Sequence, residues 1–233
     1  MNKTIWMYWH DGFENSPAIT QECLKSWKKW NPDYEVVELN NENLKDYIDY
    51  PIAQPKSLAA RSDIIRINLL KEHGGIWSDA TVLCNRPLKE WLHMYDKQGF
   101  WAFSDPTPAN MICSWFLVGD KDNHIVKTFC DEVNKYWDNG RQKPDVYLWF
   151  HGIFDHLFHV DPIFKDQWVL ASKYKANWQP MAKDGTNPHY FAPYIKERLD
   201  NLPFKDMTAP LYKLTRGQSN MLMNNKLIKG LLI

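Results

Sequence analysis

Two adjacent glycines, Gly74 and Gly75, separate a helical stretch of the chain from an extended one, and this break constrains the fold more than any other feature. Before the glycines, apolar residues recur at helical spacing, which predicts a helix over 55–73 that packs one side on a sheet. Glycine adopts positive φ at little cost, so the pair is typical of the C-terminal cap of a helix. After it, β-branched and aromatic residues predict a strand over 76–84.

Charged and hydroxyl side chains mark both halves of this helix–strand unit. Asp63 and Arg66 are three residues apart, so on a helix their side chains are neighbours. Side chains alternate along a strand, so Asp79 and Thr81 are predicted to point the same way. Two such oxygens can share a divalent cation, or one can bind the cation and the other a phosphate. Because buried carboxylates need partners, the unit predicts a site for a charged, metal-bound, phosphate-bearing ligand.

The rest of the chain alternates between strand and helix patterns. This alternation predicts an α/β domain with a mostly parallel central sheet flanked by helices. Ligands of such sheets bind beyond the carboxyl ends of the strands, which would suit Asp79 and Thr81. The other predicted strands are 5–9, 34–39, 100–103 and 115–118, and the other predicted helices are 17–30, 44–48 and 125–140.

The amino-acid composition excludes some classes of function. With 233 residues and 44% hydrophobic content, the chain can bury the core of one domain. The formal net charge of +0 gives no long-range field for nucleic acid, so no nucleic-acid partner is expected. We find no secretory signal and no apolar run long enough to span a bilayer. The four cysteines lack zinc-ligand spacing, which favours reduced thiols and a cytoplasmic location.

Two segments of the second half leave alternatives open. The aromatic run 145–156 contains His151 and Asp155, which could approach a ligand, although an amphipathic helix with a half-buried histidine is the more common reason for such a pattern. The tail 225–233 combines apolar residues with two lysines. It predicts either a weak peripheral contact with the inner face of a membrane or an ordinary chain end.

The motif around the glycines resembles a known family. Residues 62–66 (SDIIR) and 74–82 (GGIWSDATV) resemble the core motif of capsular-polysaccharide-synthesis-type glycosyltransferases. That family is grouped with certain mannosyltransferases and with the clostridial glucosylating toxins. The resemblance extends over most of the chain through weaker blocks at 5–9, 26–27, 31–34, 115–116, 136–137, 147–151 and 213–215.

The resemblance implies a single GT-A-like glycosyltransferase domain over 1–233. Its nucleotide-sugar-binding part would cover about 1–120 and its acceptor-side part about 121–233. It also implies a nucleotide-sugar donor, with a UDP-sugar favoured, and a glycan or lipid-linked oligosaccharide acceptor. The expected setting is bacterial surface or capsular polysaccharide synthesis, with retention of the anomeric configuration.

The same resemblance assigns roles to particular residues. Asp63, Arg66 and Asp79 are expected to be catalytic. Asp63 and Arg66 would contact the donor sugar or its phosphates, beside Ser62, and Trp9 would lie near the nucleotide base.

Asp79 is also the expected metal ligand, because it stands first in the family's Asp-x-Asp motif. Thr81 replaces the second carboxylate, as it does in the capsular-type subgroup, and is expected to bind substrate together with His151. The implied cofactor is Mn²⁺ or Mg²⁺, held mainly through the diphosphate and water because one carboxylate and one hydroxyl bind a divalent ion weakly.

Two other classes of protein remain open from the sequence. A catalytically inactive nucleotide-sugar- or glycan-binding protein could share the fold, since Thr81 stands in place of a carboxylate. A glycoside hydrolase could use Asp63 and Asp79 as its carboxylate pair. The hydrolase interpretation gives Arg66 no role.

Overall fold

The central feature of the structure, a computed structural model, is a five-stranded sheet in the order β2-β1-β3-β6-β5. β1 pairs in parallel with both β2 and β3, whereas β6 runs antiparallel to β3 and β5. Four strands therefore share one direction, which confirms the predicted mostly parallel α/β architecture. The strands are β1 Thr4–Tyr8, β2 Glu35–Leu39, β3 Gly75–Ser78, β4 Val82–Cys84, β5 Phe100–Thr107, β6 Asn110–Gly119 and β7 Leu211–Lys213. The structure describes residues 2–52, 55, 57–94, 97–107, 110–138, 140–174 and 210–213.

Helices cover both faces of this sheet. Their starts follow local chemistry: the Ser57 side chain caps α2 by accepting from Ala60 N, and Asn123 caps α4 in the same way. The segment predicted as a helix over 44–48 is a single 3₁₀ turn, Leu44–Asp46. The α-helices are α1 Ala18–Trp30, α2 Leu58–His73, α3 Leu88–Trp91, α4 His124–Trp137, α5 Trp149–Val160 and α6 Pro162–Leu170.

The core has two layers, one on each face of the sheet. Along β1, Trp6 and Tyr8 join the layer formed with α2, α4, α5 and α6. Ile5 and Met7 join the opposite layer, which contains α1 and α3. Alternate side chains of β1 are thus buried on both sides, as expected for parallel strands covered by helices.

Helix α2 is fixed inside the first layer rather than lying on the surface. The amides of Asn68 on α2 and Asn134 on α4 hydrogen-bond to each other in both directions, each at 2.9 Å. The pair is buried, so its donors and acceptors depend on each other. Because of this packing, the Asp63 and Arg66 side chains of α2 are enclosed by protein rather than exposed to solvent.

The glycine pair ends α2 and starts β3, as predicted. Gly74 has φ of 70° and donates its N–H to Leu70 O at 2.9 Å. Gly75 has φ of 100°, and a Cβ at this position would lie 2.7 Å from Thr4 O of β1. Glycine at 75 therefore permits both the turn and the close approach of β3 to β1.

The predicted continuous strand over 76–84 is wrong. β3 ends at Ser78, and Val82 N donates to Asp79 O at 3.0 Å to close a turn. The chain then enters a second, two-stranded sheet in which β4 pairs antiparallel with β7. Asp79 and Thr81 consequently belong to a turn between two sheets, not to one face of a strand.

Two further observations concern the environment of the chain. Of the helices that the structure describes, none combines the length and the apolar character that crossing a bilayer requires. All four cysteines are buried free thiols, and burial raises the pKa of Cys23 and of Cys84 to about 12. The C-terminal tail 225–233 lies outside the described residues, so its predicted membrane contact stays a prediction.

Candidate functional site

The site lies at the carboxyl edge of the parallel strands. β1 and β3 run in the same direction, so the residues that follow them, Trp9 and Asp79, emerge at the same edge. Asp79 N donates to Trp115 O of β6 at 2.9 Å, which holds the turn against the sheet. This edge is where open α/β sheets bind ligands.

Arg66 is the centre of the site. Its guanidinium contacts two carboxylates: Nη1 lies 2.5 Å from Asp63 Oδ1, and Nη2 lies 3.0 Å from Asp79 Oδ1. Nη2 also donates to Ser62 Oγ at 3.2 Å. The Arg66 side chain is only 4% exposed, so these contacts operate away from bulk water and are weakly screened.

Aromatic rings enclose the same guanidinium. Arg66 Cζ lies 5.3 Å from the centroid of the Trp77 ring and 5.5 Å from that of Phe150. Trp77 belongs to β3 and Phe150 to α5, so the cation is held between the sheet and a helix of the second half. Such cation–π contacts gain strength when the cation is desolvated.

Asp79 uses both of its carboxylate oxygens. Oδ1 accepts hydrogen bonds from Arg66 and from Trp77 Nε1, the latter at 2.9 Å. Oδ2 accepts from Lys213 Nζ at 2.7 Å. Lys213 Nζ also donates to Thr81 Oγ1 at 2.8 Å. The pairing of β4 with β7 places Lys213 opposite Val82 and therefore beside this turn.

The two carboxylates have opposite pKa shifts. Burial raises the pKa of Asp63 to about 6, although Arg66 acts in the other direction. Burial would also raise the pKa of Asp79, but Lys213 and Arg66 outweigh it and hold that pKa below its ordinary value. Asp79 is therefore a permanent anion at neutral pH, whereas Asp63 titrates within reach of neutrality.

His151 lies beside this charge cluster on α5. Burial, followed by the positive charge of Arg66, lowers the pKa of His151 to about 4, so the imidazole is neutral at pH 7. Its Nδ1 atom is enclosed and has no hydrogen-bond partner among the described residues. A neutral ring nitrogen in this position can donate to or accept from a ligand hydroxyl, depending on its tautomer.

Trp9 and Asp155 have mainly structural contacts. The Trp9 side chain is 9% exposed and packs in the second core layer, with its ring centroid 5.3 Å from that of His10. Its predicted role beside the nucleotide base stays a prediction. Asp155 Oδ1 accepts from Met111 N at 3.4 Å, which ties α5 to β6.

The residues predicted to hold a divalent cation do not fit one in this arrangement. The two oxygens predicted to share it, Asp79 Oδ2 and Thr81 Oγ1, both accept from the Lys213 ammonium. The remaining Asp79 oxygen accepts from Arg66 and Trp77. Within the described ranges, no group of three or more His, Cys, Asp or Glu side chains is placed to hold a metal ion. The predicted Mn²⁺ or Mg²⁺ stays a prediction, and we assign it no chemical step.

The structure brings most of the predicted site together. Ser62, Asp63, Arg66, Asp79 and Thr81 form one contiguous set of contacts, with His151 adjacent to it. The sequence did not predict roles for three further residues. Lys213 stood in a weak block of the family resemblance, and Trp77 and Phe150 looked like ordinary core residues.

Comparisons with known proteins connect this site to a family. The family model described as capsular polysaccharide synthesis protein matches residues 1–228. O-glycosyltransferase braB of Annulohypoxylon truncatum is 25% identical over 180 residues, which cover 67% of this chain and 42% of that protein. Inositol phosphoceramide mannosyltransferase 3 of Schizosaccharomyces pombe is 33% identical over 111 residues, covering 37% of this chain and 31% of that protein. The chain spans less than half the length of these curated relatives.

A solved structure supports the fold assignment. PaToxG glycosyltransferase superposes with a TM-score of 0.53 at 17% sequence identity, covering 72% of this chain and 73% of that one. This similarity shows a shared GT-A-like fold. Since the family model spans nearly the whole sequence, the chain belongs to the family of capsular polysaccharide synthesis proteins.

Proposed function

We propose that the protein is a glycosyltransferase. It moves a sugar from a nucleotide-sugar donor, with a UDP-sugar favoured, to a hydroxyl group of a glycan or lipid-linked oligosaccharide. The observation that carries this proposal is the buried Asp63–Arg66–Asp79 cluster at the carboxyl edge of the sheet, in a chain similar to named glycosyltransferases. Two cations and two carboxylates at such an edge can hold both a diphosphate and a sugar.

The proposed reaction depends mainly on electrostatics. The bond between the donor C1 atom and the phosphate oxygen breaks, and its electron pair leaves with the nucleoside diphosphate. The acceptor hydroxyl oxygen bonds to C1 on the face that the leaving group vacates, which retains the configuration, and its proton passes to the departing phosphate. Arg66 and Lys213 would stabilise the charge that collects on that phosphate. No nucleophile from the protein is required.

The carboxylates would orient the sugar. Asp63 is the partly protonated member of the pair, so it can accept a hydrogen bond from a donor hydroxyl when ionised. Asp79 is held by three donors and would position the two cations rather than contact the sugar itself. The neutral imidazole of His151, beside this cluster, would bind a hydroxyl of the donor or the acceptor. Correct orientation of reacting groups is a large part of catalysis.

The biological setting is a further part of the proposal. The proposed setting is surface or capsular polysaccharide synthesis on the cytoplasmic side of a bacterial membrane, and the family name and the cytoplasmic supply of nucleotide sugars support it. The named relatives are fungal, and one is named for transfer to inositol phosphoceramide, a lipid. Lipid-linked acceptors should therefore be included when the acceptor is sought.

A second candidate is a protein that binds nucleotide sugars without turnover. The observation that favours it is the full engagement of Asp79 by Arg66, Trp77 and Lys213. A glycoside hydrolase fits less well, because one guanidinium bridges Asp63 and Asp79 and stands where a scissile bond would need to lie.

Thermal unfolding against UDP-, GDP-, CMP- and dTDP-sugars tests the proposal. One donor should stabilise the wild type, by about 2.7 kcal/mol at a hundred times its Kd. Asp79→Asn should abolish the shift, because it removes the anion that holds the two cations in place. The matched control is Asp131→Asn, which removes an exposed carboxylate paired with Lys71 and should leave the shift unchanged.

Turnover separates the two candidates. Incubation of the binding donor with the protein should release free sugar slowly in water and transfer sugar when a glycan or lipid acceptor is present. Binding without either reaction would favour the inactive binding protein. No shift with any of the four donor classes would contradict the proposed function.

A further inference from the structure

We propose that Lys213 supplies the positive charge that a divalent cation would otherwise provide, so that donor binding is independent of metal. This inference rests on the proposed function and identifies which group of the same site faces the diphosphate. It differs from the metal-bound arrangement that the family resemblance implies. The Lys213 ammonium lies between the two oxygens predicted to hold the metal.

The backbone delivers Lys213 to this position. β7 pairs antiparallel with β4, and Lys213 is the partner of Val82, the first residue after the turn that contains Asp79 and Thr81. From there the ammonium bonds Asp79 Oδ2 at 2.7 Å and Thr81 Oγ1 at 2.8 Å. The Thr81 hydroxyl accepts a hydrogen bond from Lys213. With the ammonium in this position, the site needs neither a metal ion nor a second carboxylate to bind one.

The ammonium retains capacity for a ligand. Lysine has three N–H donors, and Asp79 and Thr81 take two of them. The Lys213 side chain is 18% exposed, whereas that of Arg66 is 4% exposed. The remaining N–H of Lys213 can therefore reach a phosphate oxygen from solvent, while Arg66, paired with both carboxylates, adds its positive charge from inside the protein.

A divalent cation would compete with this lysine. Mg²⁺ requires oxygen ligands at about 2.0–2.1 Å in near-octahedral geometry. Asp79 Oδ2 and Thr81 Oγ1 can meet that requirement only if Lys213 withdraws, since two cations close together in a partly buried site repel each other. The other Asp79 oxygen stays engaged by Arg66 and Trp77. An ammonium already in place needs no such rearrangement.

Lys213 acts as a charge and not as an acid in this proposal. When the C1–O bond of the donor breaks, the leaving diphosphate keeps the electron pair, and the lysine hydrogen-bonds to the phosphate oxygen without losing its proton. The proton released in the reaction is that of the acceptor hydroxyl. Lysine is suited to this role because its ammonium is a compact charge that binds phosphate.

Titration calorimetry with UDP, GDP and dTDP tests the inference directly, with EDTA or with Mn²⁺ present. For the wild type, the best-bound of these diphosphates should have the same Kd in both conditions. Lys213→Met should weaken binding about tenfold or more, because a charge-assisted hydrogen bond is lost. The matched control is Lys71→Met, which removes an exposed lysine paired with Asp131 and should leave the Kd unchanged.

A charge-reversal variant should convert the site into one that binds a metal ion. Because this is a gain of function, it also shows that a variant at position 213 still folds. Lys213→Glu places a second carboxylate beside Asp79 and Thr81, so Mn²⁺ should raise its melting temperature and restore diphosphate binding. Lys213→Met should gain neither effect. Mn²⁺ binding can be followed independently by electron paramagnetic resonance.

The outcomes distinguish this inference from the proposed function. Wild-type binding that requires Mn²⁺ and disappears in EDTA would overturn the role of Lys213 and leave the glycosyltransferase proposal standing. Equal diphosphate binding by the wild type and Lys213→Met in EDTA would also overturn the role of Lys213 and leave the glycosyltransferase proposal standing. Binding of none of the three diphosphates in either condition would overturn the proposed function and, with it, this inference.

Discussion

The candidate site consists of two parts that differ in how they are held. The inner cluster, formed by Asp63, Arg66, Trp77 and Asp79, comes from one helix, the strand that follows it and the turn after that strand. The outer pair, His151 and Lys213, comes from α5 and β7 in the second half of the chain. In the inner cluster one guanidinium pairs with two carboxylates, and Lys213 of the outer pair supplies the second positive charge. In the outer pair, the enclosed Nδ1 atom of His151 has no partner among the described residues, and Lys213 keeps one N–H beyond those that Asp79 and Thr81 accept.

This difference separates the residues that stabilise the fold, in the inner cluster, from the residues that bind the ligand, in the outer pair. Buried charges that pair only with each other are costly to disturb, because removal of one leaves its partner uncompensated. A polar group adds no stability through hydrogen-bonding capacity that it does not use, and a ligand that pairs with the group gains a hydrogen bond. We therefore expect substitutions in the inner cluster to affect stability first, and substitutions in the outer pair to affect binding first.

The largest expected effect is the loss of Arg66. Arg66→Met should lower the free energy of unfolding by about 3–5 kcal/mol, because it removes a buried cation and leaves Asp63 without its ion-pair partner and Asp79 with Lys213 alone. Urea unfolding measures this loss. The matched control is Arg141→Met, since Arg141 pairs with exposed Asp145 and lies over the Tyr136 ring. It should cost about 1 kcal/mol or less. Similar losses of unfolding free energy in both variants would show that the inner cluster contributes no more to stability than an exposed ion pair does.

A smaller effect concerns the pH dependence of Asp63. The pKa of Asp63 is about 6 in the folded protein and would be near 3.8 when unfolded, so folding is favoured by protonation of this group. Its contribution to stability is complete below the unfolded pKa and is lost as the pH rises through 6. Wild type should therefore gain on the order of 2 kcal/mol relative to Asp63→Asn between pH 7.5 and pH 4. Chemical unfolding at several pH values measures the difference, and a constant difference would contradict the assignment.

The smallest stability effect is expected at His151. His151→Leu should leave the free energy of unfolding equal to or slightly above that of the wild type, because it removes a buried polar atom, Nδ1, that has no partner among the described residues. Donor turnover should nevertheless fall about tenfold or more if the ring binds a sugar hydroxyl.

A second histidine provides the control for that prediction. His124 Nε2 lies 2.7 Å from Asp161 Oδ2, so His124→Leu should destabilise the protein and leave donor turnover unchanged. If His151→Leu behaved like His124→Leu in both measurements, the outer pair would be structural, and the contrast between the two parts of the site would fail.

Local sequence spacing predicted that the three charged residues of the inner cluster, Asp63, Arg66 and Asp79, lie together, but not that Trp77 joins them. Asp63 and Arg66 are neighbours on any helix. The turn at Gly74 and Gly75 sets the direction of β3, so that Asp79, which follows β3, contacts Arg66. The predicted end of α2 and start of β3 were close to those observed because caps and turns depend on a few adjacent residues. The mostly parallel sheet followed from the alternation of elements in the same way.

The outer pair could not be predicted by the same means. Lys213 reaches Asp79 across 134 positions of sequence, through a three-residue strand too short to show periodicity. The end of β3 at Ser78 was missed because strand-forming residues stand on both sides of Asp79 and Ala80, whereas β4 pairs with β7 in a second sheet. His151 gave only an ambiguous signal, since aromatic helices with histidine are common in cores.

The pairing of β7 with β4 also has a consequence for folding during synthesis on the ribosome. All strands of the large sheet have been synthesised by Gly119, yet β7 begins at Leu211, about 90 residues later. At ordinary translation rates of about 5–20 residues per second, the ribosome needs roughly 5–20 seconds for that interval. A nascent chain can thus hold Arg66 between its two carboxylates before Lys213 exists. Competence to bind a donor would then be acquired late in synthesis, after the large sheet has formed.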